Sequence, residues 1–298
     1  MKTHKIAYDD FKIKLPKKKA FSIETPPDQL RMHQLMCIAA PRGTGKMIIG
    51  SSWLQSLKKQ HCLDRVFIMS PTIVSNREML APLEIAQEDE YHGSNWADAI
   101  QDIIRKAEEE MNEWKEYQEA MLLWTLLHDD KIEINRIRPD LLLKALEKGY
   151  FNKKPESKYG HKPILAVIVD DLQGSNIYSA NPKNPFINFC LRHRHIAEGL
   201  GLTIVMMVQT YAGAGGVPRI IRQNLTSLLL GPQKNLKVIE QVAEEVGGQI
   251  EEPQFMEAYK IATHNEHPDK PNHNFLLTDF YAKSPEKVFR RNLNEFIY

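Results

Sequence analysis

The strongest constraint on the fold lies between residues 35 and 69. Leu35-Met36-Cys37-Ile38-Ala39 is an apolar run of strand length that enters a glycine-containing turn at 40–45. A helical pattern follows, with Ile49, Trp53, Leu54 and Leu57 on one face. Arg65-Val66-Phe67-Ile68-Met69 is a second strand, stopped by Ser70-Pro71. A strand–helix–strand unit builds parallel sheets, which predicts an α/β fold.

Later segments repeat the alternation. Ile164 to Val169 is an unbroken apolar run, as in a strand covered on both faces. Thr203–Val208 and Ser227–Leu230 are further strands, and Phe275-Leu276-Leu277 is a last strand-like piece. Helices are expected around Phe186–Leu200 and over 234–246, the latter ended by Gly247-Gly248. The stretch 84–150 interrupts this pattern. Trp96, Ile100, Ile103, Ala107, Met111 and Trp114 keep mostly helical spacing, with Glu and Lys on the other faces. It is expected to be a long amphipathic helix, then a shorter one around Pro139–Lys148, inserted into the α/β domain.

Three blocks result: a basic N-terminal arm over 1–30, an α/β domain over 31–280 carrying the helical insertion at about 84–150, and a C-terminal tail over 281–298. The plain interpretation of the arm is solvated chain; phosphate or partner binding is the alternative. The basic, aromatic tail is expected to be a docking arm.

The turn reads Ala40-Pro41-Arg42-Gly43-Thr44-Gly45-Lys46-Met47. It approximates the phosphate-loop pattern, G-x-x-x-x-G-K-[S/T], in the required place between strand and helix. Gly43 and Gly45 allow backbone N–H groups to wrap an anion at a helix N-terminus, and Lys46 would reach the β- and γ-phosphates. Two positions depart. Ala40 replaces the first Gly, and Met47 stands where a hydroxyl normally holds Mg²⁺. A thioether is a poor ligand for a hard cation, so the metal would depend on carboxylates, nucleotide and water.

The apolar run at 164–169 ends in Asp170-Asp171. A strand holding two carboxylates at its end suits metal-assisted phosphoryl transfer, with Asp170 serving Mg²⁺ and Asp171 polarising the attacking water. Gln209 closes the Val205–Val208 strand and is a candidate γ-phosphate sensor. Arg222, with Arg219 beside it, is a candidate arginine finger acting on a neighbouring subunit; a surface salt bridge is the plainer role. The histidines at 193 and 195 have no Cys or carboxylate at ligand spacing, so no metal site is expected there.

In this order, Arg42–Lys46, Ser70-Pro71-Thr72, Val169-Asp170-Asp171-Leu172, Arg194-His195, Gln209, Pro218 and Ile221-Arg222-Gln223-Asn224 resemble the genome-packaging ATPases of large eukaryotic DNA viruses and virophages, within the FtsK–HerA superfamily. The resemblance spans roughly residues 35–230. It implies a phosphate-loop NTPase of the additional-strand type, with a mainly parallel sheet flanked by helices. It further implies ATP and Mg²⁺ as cofactors, double-stranded DNA as substrate, and a homo-oligomeric ring. Capsid or portal-vertex proteins would be further partners, and the host cytoplasm, in a viral factory, or the virion the location. By the same resemblance Arg42, Gly43, Thr44, Gly45, Lys46 and Met47 bind nucleotide, Asp170 the metal, and Asp171, Gln209 and Arg222 serve catalysis.

Two other classes stay open: a different phosphate-loop enzyme such as a small-molecule kinase, and a catalytically weak nucleotide-binding structural protein, which Met47 would suit. The remaining composition narrows the choice. Thirty-nine basic and thirty-eight acidic residues give a net charge of +1, which excludes a tight, DNA-coating monomer. No run approaches the ~18 apolar residues of a membrane span, and the charged N-terminus gives no expectation of a leader. Cys37, Cys62 and Cys190 show no short pairing and are expected as reduced thiols.

Overall fold

The computed structural model describes residues 25–93, 95–129, 134, 137–213, 215–248 and 250–298. Most of the basic arm expected over 1–30 lies outside these residues. The chain divides into two units, 1–32 and 33–298. In the described part of the first, Gln29 N–H donates to Pro26 O at 3.0 Å and closes a turn.

The second unit is a nine-stranded sheet. Its strands are β1 (Leu35–Ala39), β2 (Arg65–Met69), β3 (Glu90–Tyr91), β4 (Leu165–Asp170), β5 (Leu202–Val208), β6 (Ser227–Leu230), β7 (Leu276–Asp279), β8 (Phe289–Arg291) and β9 (Glu295–Ile297). The helices are α1 (Lys46–Lys59), α2 (Ile73–Leu80), α3 (Trp96–Leu127), α4 (Pro139–Glu147), α5 (Pro185–Arg192), the one-turn segments α6 (Ile196–Gly199) and α7 (Arg219–Arg222), α8 (Leu236–Val246) and α9 (Glu252–Ala262).

The strand order is β3-β2-β4-β5-β1-β6-β7-β8-β9. From β3 to β6 all neighbours are parallel, and β7, β8 and β9 add antiparallel pairings. β5 therefore lies between β1, which leads into the glycine turn, and β4, which ends in Asp170. This is the expected α/β fold of a phosphate-loop NTPase with an additional strand. In register, Ala39 pairs with Val208, and Asp170 with Met207. The C-terminal ends of β1, β4 and β5 thus meet at one edge of the sheet, where parallel α/β sheets place ligands.

Burial explains the apolar runs. Every residue of β1, β4 and β5 is buried, because helices cover both faces. Cys37, Ala39, Val167, Val169, Ile204 and Met206 share one core with residues of α3, α5, α8 and α9. On the other face α1 approaches so closely that a Cβ at Gly50 would meet Met207 Cε at 2.3 Å and Ile38 Cδ1 at 3.0 Å. Any side chain there would have to displace the ends of the Met207 and Ile38 side chains.

The structure departs from the sequence expectations in four places. Glu90–Tyr91 pair with Ile68 and Met69, so the sheet continues to residue 91 and the long helix starts at Trp96. Two of the charges assigned to that helix's outer faces, Lys106 and Glu110, are buried. They join Arg65 and Asp89 in a network that anchors α3 to β2. Arg65 bonds both Asp89 carboxylate oxygens, at 2.7 and 2.8 Å, and Glu110 Oε1 at 2.9 Å. The helix expected over 186–200 ends at Arg192, and the one-turn segment after it is broken by Ala197 and Glu198, which adopt left-handed conformations at φ 49° and 54°. Finally, much of the 281–298 tail is structured, since β8 and β9 form a hairpin on β7. Among the described residues, no helix is long and apolar enough to cross a membrane.

Candidate nucleotide site

The glycine turn wraps as its sequence requires. Gly43 and Gly45 have φ of 80° and 91°, a region that L side chains avoid, and Gly45 caps α1. Thr44 Oγ1 donates to Pro41 O at 2.8 Å and tightens the loop from within. Lys46 Nζ folds back onto the same loop, donating to Ala40 O at 2.8 Å and Pro41 O at 2.9 Å. Burial lowers the Lys46 pKa, and the charges of Asp170 and Asp171 oppose that shift. The ammonium therefore sits partly desolvated with two carbonyls as ligands, and phosphate oxygens can take over from them.

Arg42, Gly43, Gly45, Lys46 and Met47 line a cleft of about 480 Å³, and Asp170, Asp171 and Gln209 face them across it. Asp170 is 8% exposed. Burial, then the adjacent Asp171 charge, pushes its carboxyl up to about 6, against the opposing pull of Lys46. Ser70 Oγ and Asn76 Nδ2 each lie 3.5 Å from Asp170 Oδ2, and Ser70 Oγ is 3.1 Å from Thr72 Oγ1. Asp171 adopts the left-handed conformation at φ 52°, which turns its carboxylate away from the strand direction. There Asp171 Oδ1 accepts from Gln209 Nε2 at 3.3 Å.

This donor set fits a hard cation held together with a nucleotide. One buried carboxylate, Asp170, is placed to hold Mg²⁺, with hydroxyl groups near it. Met47, 8% exposed, offers only a thioether. Among the described residues no group of three or more His, Cys, Asp or Glu could cage a metal. Phosphate oxygens and water would complete the shell, as is usual for Mg²⁺. Asp171 and Gln209 can then hold and orient a water molecule opposite Lys46.

Arg222 is not part of the cleft. Its Nε and Nη2 bond Glu245 at 2.8 and 2.6 Å, Nη1 donates to Val217 O at 2.5 Å, and the guanidinium lies 5.3 Å from the Tyr211 ring centroid. With its side chain 9% exposed, Arg222 is locked within its own subunit. The plainer salt-bridge role describes it. Arg219 is exposed, and its guanidinium makes no hydrogen bond or ion pair among the described residues. Arg194 stacks over the Tyr281 ring at 5.5 Å, away from the cleft.

Asn76, beside Asp170, and two further residues of the site escape sequence reasoning. Gln173 Oε1 accepts the backbone N–H groups of Gln209 and, at 3.0 Å, Thr210, while Nε2 donates to Thr210 O at 2.8 Å and Gly215 O at 3.0 Å. It staples the turn after β4 to the turn after β5. His273 reaches the phosphate loop from 229 residues along the chain, with Nδ1 3.0 Å from Thr44 O. Only the fold brings either one to the cleft, and neither belongs to a local motif.

No family model matches the chain, and no protein of curated function matches it by sequence. Solved structures do. The genome-packaging NTPase B204 from Sulfolobus turreted icosahedral virus 2, in complex with AMPPCP, superposes with a TM-score of 0.46 at 10% identity, over 87% of this chain and 96% of that one. The pCW3 conjugation coupling protein TcpA gives 0.46 at 13% identity, over 89% of this chain and 61% of that one. The cytoplasmic domain of the Thermomonospora curvata type VII secretion ATPase EccC gives 0.40 at 15% identity, over 88% and 25%. Likenesses at this level describe the path of the backbone; the chemistry rests on the cleft itself.

Proposed function

We propose that this chain is an ATP-driven translocase of the FtsK–HerA type that moves double-stranded DNA into a viral capsid. The observation that carries the enzymatic part is the cleft. A lysine-bearing glycine loop after β1, a carboxylate pair after β4 and a glutamine after the intervening β5 converge on one space. In this reading Lys46 and the loop N–H groups hold the phosphates and Asp170 holds Mg²⁺. Asp171 and Gln209 position water for attack on the γ-phosphate. Subunits assemble as a homo-oligomeric ring on DNA, with capsid or portal-vertex proteins as further partners. The basic N-terminal arm serves contacts outside the ATPase domain. The site of action is the host cytoplasm, in a viral factory, or the virion. Since Arg222 is engaged by Glu245, the exposed Arg219 becomes the candidate for reaching a neighbouring subunit's nucleotide.

The near-neutral charge supports weak contacts spread over several subunits, as sliding along a phosphate backbone requires. The test is ATP turnover with and without double-stranded DNA, measured beside native mass. The motor reading expects DNA to stimulate turnover in an oligomer, with the stimulation fading as salt rises. Turnover indifferent to DNA at every salt concentration points to a kinase-like enzyme and excludes the motor.

A further inference from the structure

The imidazole of His273 sits directly on the glycine loop. A Cβ built on Gly45 would lie 3.4 Å from His273 Nδ1, and that nitrogen is 3.0 Å from the Thr44 carbonyl oxygen. A carbonyl only accepts, so Nδ1 carries the proton and donates it. That fixes the ring's orientation and leaves Nε2 without a partner among the described residues. The ring lines the same cleft as Lys46, Arg42 and Asp170.

The segment bearing this histidine, between α9 and β7, is held in place. Asn272 Nδ2 donates to Thr263 O at 2.7 Å and Asn274 Nδ2 to His264 O at 2.8 Å. Asn292, in the turn between β8 and β9, clasps the next residue from both sides. Its Oδ1 accepts from Phe275 N at 2.9 Å, and its own N–H donates to Phe275 O at 2.8 Å. The C-terminal hairpin thus braces the His273 segment. A ring held this way loses little conformational freedom when it meets a ligand.

We infer that His273 is a further nucleotide-binding residue, which presents Nε2 to the phosphate oxygens of a nucleoside triphosphate seated in the glycine loop. This rests on the nucleotide-site reading above. With Nδ1–H committed to Thr44, an N–H at Nε2 is the donor this ring has left to offer a phosphate oxygen.

Binding of ATP and of tripolyphosphate to the full chain tests this, by calorimetry on wild type, His273→Ala and His273→Asn. Asparagine retains an N–H for the Thr44 carbonyl but has nothing in the place of Nε2. Both variants should bind both ligands about tenfold more weakly, the effect of losing one charge-assisted hydrogen bond. Melting temperatures should be unchanged, because His273 is exposed. Where the variants still turn over ATP, KM should rise more than kcat falls. Wild-type affinity in His273→Asn would reduce His273 to a brace for Thr44, and wild-type affinity in both variants would remove it from the site. A loss for ATP but not for tripolyphosphate would move the contact to the nucleoside and overturn the phosphate assignment. If the wild type bound neither ligand, the nucleotide-site reading itself would fail, and this inference with it.

Discussion

The Gln209 side-chain amide donates to Asp171 Oδ1 at 3.3 Å, joining the end of β5 to the end of β4. The pair can hold a water molecule only while both strands keep their register. Gln173 supports that register by accepting from the backbone N–H groups of Gln209 and Thr210. Gln209→Ala should leave ATP affinity within about twofold and lower turnover by at least about tenfold, since it removes an orienting group rather than a phosphate ligand. Calorimetry and phosphate release separate the two effects. A variant that hydrolyses ATP at the wild-type rate would remove Gln209 from the chemistry.

Asp170 gives the fold a pH signature. Its carboxyl rises from 3.8 to about 6 through burial and the neighbouring Asp171 charge. The folded state therefore holds this proton more tightly than the unfolded chain does. The resulting stabilisation is fully present below pH 4 and is lost as pH rises through about 6. A displacement of this size corresponds to about 3 kcal/mol between the two protonation states. Asp170→Asn should accordingly melt a few degrees above wild type at pH 8, and the gap should close towards pH 4. A gap independent of pH would contradict the buried-carboxylate account. Metal-dependent ATP binding should weaken below about pH 6, because Mg²⁺ requires the ionised form.

Arg222 and Glu245 form a two-point ion pair in which the arginine is half-buried and the glutamate reaches solvent. Glu245 stays in contact with water, so removing its partner should cost about 1 kcal/mol, with the lost packing of the Arg222 stem against Tyr211 adding to it. Arg222→Ala should therefore lower the melting temperature of the unassembled protein, whether or not nucleotide is present. A variant with wild-type stability that loses turnover only in the assembled state would restore Arg222 as a trans-acting finger.

The sequence made the central sheet legible because several of its strands are buried on both faces and so appear as apolar runs. β1, β2 and β6 fall where those runs predict, and β5 extends its run by one residue to Leu202. The loop, the carboxylate pair and Gln209 were legible because each closes such a run. β3 is too short to show periodicity, and the β8–β9 hairpin pairs through residues as polar as Arg290 and Glu295. His273 and Gln173 were hidden for a different reason: their partners are backbone atoms far away in sequence, and backbone atoms leave no residue pattern. The charges of α3 misled because Lys106 and Glu110, read as solvated, pair with Asp89 and Arg65 in the interior.

Met47 leaves the metal with fewer protein ligands than the phosphate-loop pattern provides. Met47→Thr puts a hydroxyl at the start of α1, on the cleft wall. It should tighten Mn²⁺ binding to the ATP complex severalfold, as read by electron paramagnetic resonance. Unchanged Mn²⁺ affinity would show that the shell is already complete without this position.

The central claim is that this cleft hydrolyses ATP. It is tested most directly by steady-state phosphate release from wild type and Lys46→Ala, each with Mg²⁺ and double-stranded DNA. The wild type should show clear turnover and the variant none, since the variant lacks the ammonium that would leave Ala40 and Pro41 for the phosphates. No turnover by the wild type, or equal turnover by the two proteins, would contradict it.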